Sequence, residues 1–181
     1  MVKDPRVVEF IVMGEPITEG SYKAFAFRGK DKKLHSNVTH QNAKGINKIR
    51  KDFRTEMEEL HDMFYTENKD IAFYIDVTYY VYKGKSVKRP FPTVRGTGDI
   101  DKLLRCSLDA MTYDEKKNKV GLFSDDSAVI GVSMWKLYTN EENPESKTVV
   151  KLVKILLPDF VKLKQDEQKK MIEKLLLAMD Q

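Results

Sequence analysis

Two carboxylates two residues apart, Asp99 and Asp101, open a segment with helical spacing, and a second pair, Asp125 and Asp126, precedes a strand-like run further along. Oxygen donors gathered from a helix start and a strand start are the ligands that Mg²⁺ or Mn²⁺ takes. Positions two apart on a helix point about 200° away from each other. Asp99 and Asp101 therefore converge on one ion only if Asp99 stays outside the helical turn as a cap. Asp101, Arg105 and Asp109 recur at steps of four and form one polar stripe, with Arg105 one turn beyond Asp101. A guanidinium is permanently charged and forks onto phosphate oxygens; it stabilises developing negative charge but is a poor proton donor. The same residue types also serve structural ends. Acidic residues suit the first turn of a helix through its dipole, an Asp-Asp pair suits a turn, and the stripe suits ion pairing at i,i+4.

What sets the combination apart is the basic loop before it. Residues 83–97 (KGKSVKRPFPTVRGT) carry Lys83, Lys85, Lys88, Arg89 and Arg95 among Gly84, Pro90, Pro92 and Gly96. Cations so placed suit a nucleic-acid backbone. A second polar stretch, 18–42, holds Lys23, Arg28, Lys30, Lys32 and Lys33 alongside Tyr22, Phe25 and Phe27. It is either a long loop or a loose hairpin. Basic residues interleaved with aromatics fit nucleic acid, and they equally fit a solvated hairpin whose aromatics return to the core.

The elements that must position these groups are legible from periodicity. Residues 7–13 (VVEFIVM) are strand-like and end at Gly14-Glu-Pro16. Ile46, Ile49, Phe53, Met57, Leu60 and Phe64 mark one apolar face of a helix over 42–64, with Lys48, Arg50, Lys51 and Arg54 around the rest. Residues 71–82 alternate as a long half-buried strand. Residues 99–112 predict a helix with Ile100, Leu103, Leu104, Leu108 and Met111 on one face. Residues 127–138 (SAVIGVSMWKLY) are mostly apolar and predict a central strand buried on both faces. A further strand is expected over 148–157 and a single helix over 159–179. The class is α/β or α+β: a small mixed β-sheet packed with two core helices, plus a C-terminal helix. The expected division is a domain over 1–157 and a helical appendage over 158–181.

The chain has 181 residues and a net charge of +4, too small by itself to indicate nucleic acid. Its single cysteine, Cys106, rules out an intramolecular disulfide and a cysteine-based zinc site. His35, His40 and His61 lack metal-ligand spacing. No apolar stretch approaches the ~20 residues of a membrane span, and no apolar leader stands near Met1. A soluble, cytoplasmic protein without a membrane partner is expected.

Taken in order, Asp99-Ile-Asp-Lys-Leu-Leu-Arg105, Leu108-Asp-Ala-Met-Thr112 and Ser124-Asp-Asp-Ser-Ala-Val-Ile130 resemble the core of the RusA family of Holliday-junction resolvases. The match spans residues 98–135, and the strand ending at Gly14-Glu-Pro16 resembles the start of many members. The resemblance implies a homodimer that binds a four-way DNA junction and makes paired, symmetric nicks with Mg²⁺, for which Mn²⁺ can substitute. It maps the catalytic set onto Asp99, Asp101 and Asp126, with Asp125 beside them as a further metal ligand. It implies a water activated by the metal for in-line attack on phosphorus, with Arg105 stabilising the charge that builds. The family's usual lysine is Arg105 here, which retains charge stabilisation and forgoes proton transfer. Lys102 stands where asparagine is commonest; a cation there either weakens ion binding or contacts phosphate. Gly98 replaces the proline or basic residue often found before the first aspartate. Lys83, Lys85, Lys88, Arg89 and Arg95, with Lys102, Lys23 and Arg28, are the implied DNA contacts. Family members often reside in phages or prophages.

Two other functions use the same residues. A Mn²⁺-dependent nucleotide-sugar transferase with an Asp-x-Asp motif would need a larger nucleotide domain, and no Gly-rich phosphate loop is present. A non-catalytic nucleic-acid-binding module would use the aspartates only as helix caps and ion pairs.

Overall fold

The computed structural model describes residues 6–20, 22–40, 42–93, 95–114 and 120–177; for 22–25, 36–40 and 95 it describes the backbone alone. A four-stranded sheet is built from β1 (Val7–Met13), β4 (Ile71–Val81), β5 (Val129–Tyr138) and β6 (Lys147–Leu156), in the order β1-β6-β4-β5. β6 runs antiparallel to both β1 and β4, whereas β5 runs parallel to β4. A parallel pair needs a long crossover, and the chain between β4 and β5 supplies one through α2 (Ile100–Met111). The chain is therefore a mixed α+β fold.

α1 (Ala43–Phe64) buries Ile46, Ile49, Phe53, Met57 and Phe64, the expected stripe. Those side chains meet Phe10, Val12, Phe73, Ile75, Val77 and Tyr79 of the sheet and Leu103, Cys106 and Met111 of α2 in one core. Phe10 meets Phe53 edge to face, with ring centroids 6.0 Å apart. The Tyr79 hydroxyl donates to Ser107 Oγ (3.1 Å), which itself donates to the Leu103 carbonyl, so a buried polar link ties β4 to α2. Successive strand residues face opposite sides, and Val7, Val153 and Ile155 accordingly point away from α1. They form a smaller core with Phe160 and Leu175 from the C-terminal helices.

Two expectations change. β5 is an edge strand and not a central one: Ile130, Met134 and Trp135 are exposed and only Tyr138 is buried. The centre belongs to β4, whose alternation reflects one face on the main core and a more polar face opposite. An apolar run without a period does not say how many neighbours a strand has. The single C-terminal helix is instead two pieces, α3 (Leu157–Phe160) and α4 (Gln165–Leu177). The break at 161–164 lets the Lys164 N–H donate to Glu167 Oε2 (2.8 Å), one arm of a capping box at the start of α4.

The 18–42 stretch resolves as a hairpin, β2 (Tyr22–Arg28) against β3 (Leu34–His40). Among the described residues no helix is long and apolar enough to cross a membrane.

Candidate functional site

α2 carries the carboxylates, and its two ends meet two different depressions. At its start Asp99 takes the N-cap position with extended backbone, φ −83° and ψ 137°, and its carbonyl accepts from the Leu103 N–H (3.1 Å). Its side chain does not cap the helix; it meets Lys102 Nζ at 2.7 Å. Asp101 follows in the first turn, exposed. The approach to this helix is fixed by Gly98, whose φ of +75° lies in the left-handed region and whose absent Cβ would stand 2.3 Å from Thr18 Cγ2. Lys136 on β5 holds the same turn, its Nζ donating to the Gly98 carbonyl (2.5 Å) and to Thr97 Oγ1 (3.3 Å). Burial pulls the Lys136 amine below the usual lysine range, against the opposing charge of Asp99. Asp99, Asp101 and Lys136 line an open depression of about 510 Å³ walled by Pro92, Met134 and Trp135.

At the far end of α2 the chain returns against the helix. The Leu122 N–H donates to the Met111 carbonyl (2.7 Å) and the Tyr113 N–H to the Phe123 carbonyl (2.9 Å). This close backbone pairing requires Gly121, where a Cβ would stand 2.3 Å from the Tyr113 nitrogen. It delivers Asp125 and Asp126 beside the helix terminus. Asp125 accepts from the Ser127 N–H (2.8 Å) and caps a 3₁₀ turn over Asp126–Ala128. Hydrogen bonds from the Ser127 hydroxyl and backbone hold its carboxyl below the usual range. Asp125 and Asp126 line a cleft of about 390 Å³ with Asp109 and Asp114, and α1 contributes Arg50 and Arg54 to its wall.

Arg50 is the hub of that wall. Its Nη2 donates to Glu19 Oε2 (2.9 Å) and Asp109 Oδ2 (2.6 Å). Glu19 is buried, with its side chain 4% exposed. Burial, then the adjoining Glu19 carboxyl, raises the Asp109 pKa above the usual range. Burial also pushes the Cys106 thiol up to about 11, so it stays protonated and is no nucleophile.

The four carboxylates expected as one ligand set thus divide between two depressions. Asp109 lies eight helical steps beyond Asp101, about 12 Å along the axis, and Arg105 stands exposed midway. Among the described residues no three aspartate, glutamate, histidine or cysteine groups converge as a metal cage. Mg²⁺ seldom uses an all-protein cage: one or two carboxylates hold it, and water and phosphate oxygens complete its shell. The oxygen-only donors of each pair fit that mode.

Of the expected DNA contacts, Lys83, Lys85, Lys88 and Arg89 are exposed along the basic loop, and Arg28 is exposed at the end of β2. Lys102 lies within reach of Asp99. The side chains of Lys23 and Arg95 lie outside the described residues. Sequence reasoning missed Glu19 and Lys136 and did not give Arg50 or Arg54 a role at the site. Lys136 had a signal, as the lone cation in an otherwise uncharged strand. Arg50 and Arg54 had a weaker one, cations four apart beside the apolar stripe of α1. Glu19 had none, because only the tertiary fold brings it to Arg50. No protein-family model matches the chain, and no curated protein matches its sequence.

Proposed function

We propose that the chain is a Mg²⁺-dependent endodeoxyribonuclease of the RusA kind, which binds four-way DNA junctions as a homodimer and resolves them by paired symmetric nicks. The observation that carries this reading is the exposed side of α2. Asp101, Arg105 and Asp109 run from one carboxylate-lined depression to another, and each depression is edged by cations: Lys102 and Lys136 at one end, Arg50 and Arg54 at the other. Asp99 with Asp101, and Asp125 with Asp126, would each supply oxygen donors to an ion in their own depression. Bound Mg²⁺ supplies Lewis-acid activation of water and of the scissile phosphate. Arg105 offers a fixed positive charge to the phosphate between the pairs. The exposed loop cations Lys83, Lys85, Lys88 and Arg89 hold the backbone. Such a substrate places the protein in the cytoplasm of a bacterium or a phage-infected host cell.

The test is incubation with a synthetic four-way junction and a linear duplex, with and without Mg²⁺. Symmetric nicks in the junction alone, and only with the metal, are expected; an intact junction under all conditions rejects the proposal. Asp99→Asn and Asp126→Asn should each abolish nicking while junction binding persists.

One observation favours a second reading, a binding module without catalysis. Asp99 and Asp109 are both engaged in ion pairs, with Lys102 at 2.7 Å and Arg50 at 2.6 Å. Under that reading the junction is bound without nicking, and Asp101→Asn changes nothing.

A further inference from the structure

Arg50 and Arg54 sit four residues apart on α1, so their side chains share one face of the helix and repel each other. The two are not equivalent. Arg50 is neutralised by Glu19 and Asp109. Arg54 is half-buried; its Nε, like that of Arg50, is shielded from solvent without a hydrogen-bond partner, but among the described residues no carboxylate pairs with its guanidinium. Burial and the neighbouring Arg50 both disfavour its charge, and the weaker field of Asp114 supports it. A partly desolvated guanidinium without a hydrogen-bonded carboxylate is costly to hold. It is the state expected of a group whose partner arrives from outside. The side chain lines the cleft that also holds Asp125 and Asp126.

The geometry points to Arg54 as a phosphate-binding residue: its guanidinium forks onto one phosphodiester of the DNA strand lying in the cleft beside Asp125 and Asp126. Arg50 acts behind it as a positioning residue, since its two carboxylate partners fix the helix face from which Arg54 projects. The cleft sets two arginines against four aspartates. Its field therefore admits an anion only together with a divalent cation, and phosphate binding at Arg54 should depend on Mg²⁺. The inference deepens the nuclease reading and rests on it only for the source of the phosphate.

Arginine Nε–H groups give separate NMR signals, so the site can be read directly in the unmodified protein. Dimethyl phosphate, a diester monoanion, is titrated with and without Mg²⁺. A saturable shift of the Arg54 Nε–H signal, confined to the titration with Mg²⁺, is expected. A signal that stays put in both titrations overturns the inference. Junction binding at varied salt gives the second readout. Arg54→Ala should bind about tenfold more weakly and lower the salt slope by about 0.9, the share of one phosphate. Arg54→Lys should keep most of the slope and give up part of the affinity, because a point charge replaces a fork. Lys51→Ala, an exposed cation of α1 outside the cleft, should alter neither. An unchanged slope in a folded Arg54→Ala protein also overturns the inference. The two proposals fail separately: a wild-type protein that nicks the junction, beside an Arg54→Ala protein with unchanged affinity and salt slope, sinks the phosphate site alone. A wild-type protein that shifts at Arg54 but never nicks DNA sinks the nuclease alone.

Discussion

At the scale of single residues, the chemistry turns on how charges are shared. Glu19 and Asp109 both lean on one Arg50, so two carboxylates compete for one guanidinium at the edge of the cleft. Asp109 therefore keeps its proton to higher pH than the usual 3.8, through burial first and Glu19 second. A carboxyl with a raised folded-state pKa adds stability that is full below its unfolded value. That contribution disappears as pH rises through the folded value. Asp109→Asn should remove this dependence. Between pH 4 and pH 7 the urea midpoint should move down more, or rise less, in the wild type than in the variant. Parallel curves would show that Asp109 titrates alike in both states. Lys102 gains a definite partner at this scale, since a cation 2.7 Å from Asp99 must be displaced or outbid before that carboxylate takes an ion.

At the scale of elements, two glycines hold the carboxylates where α2 can present them. Gly98→Ala meets both a left-handed φ and the Thr18 methyl, a combined cost of about 1–3 kcal/mol. Gly121→Ala pushes a methyl into the backbone of Tyr113 and should cost more, because no side chain can rotate aside. Thermal unfolding followed by circular dichroism should show both variants melting lower, Gly121→Ala by the wider margin. The reverse order would mean that the 120–124 segment yields easily. The helices and strands around these glycines were legible from sequence wherever burial imposes a period, as in α1, β4 and α2. Legibility failed where burial is partial. β5 is apolar yet lies at an edge, and the C-terminal stretch keeps Leu163 and Met171 in one helical phase, so periodicity does not reveal the break between α3 and α4. For the site, the motif residues were found because they are close in sequence. The separation of the two aspartate pairs along α2, and the arrival of Glu19 and Lys136, depend on tertiary contacts that no local spacing encodes.

At the scale of the whole molecule, a sheet divides a large core under α1 and α2 from a small one under α3 and α4. The outer face beyond that small core leaves Ile11, Met13 and Trp135 exposed. The net charge of +4 is modest, so any DNA affinity must come from local placement and not from the average. Replacing Lys83, Lys85, Lys88 and Arg89 together by alanine should lower the salt slope of junction binding by about 0.9 for each phosphate that the loop no longer neutralises. An unchanged slope would place the DNA away from this loop. Trp135 has one more consequence. It is the chain's only tryptophan, 60% exposed, and it forms a wall of the depression holding Asp99 and Asp101. The molecule therefore carries its own fluorophore at the place where occupancy matters. Its emission should begin red-shifted, as suits an indole in water, and should shift or quench in step with junction binding. Trp135→Phe should silence the signal, so that occupancy of this one end of α2 can be followed optically without labelling either partner.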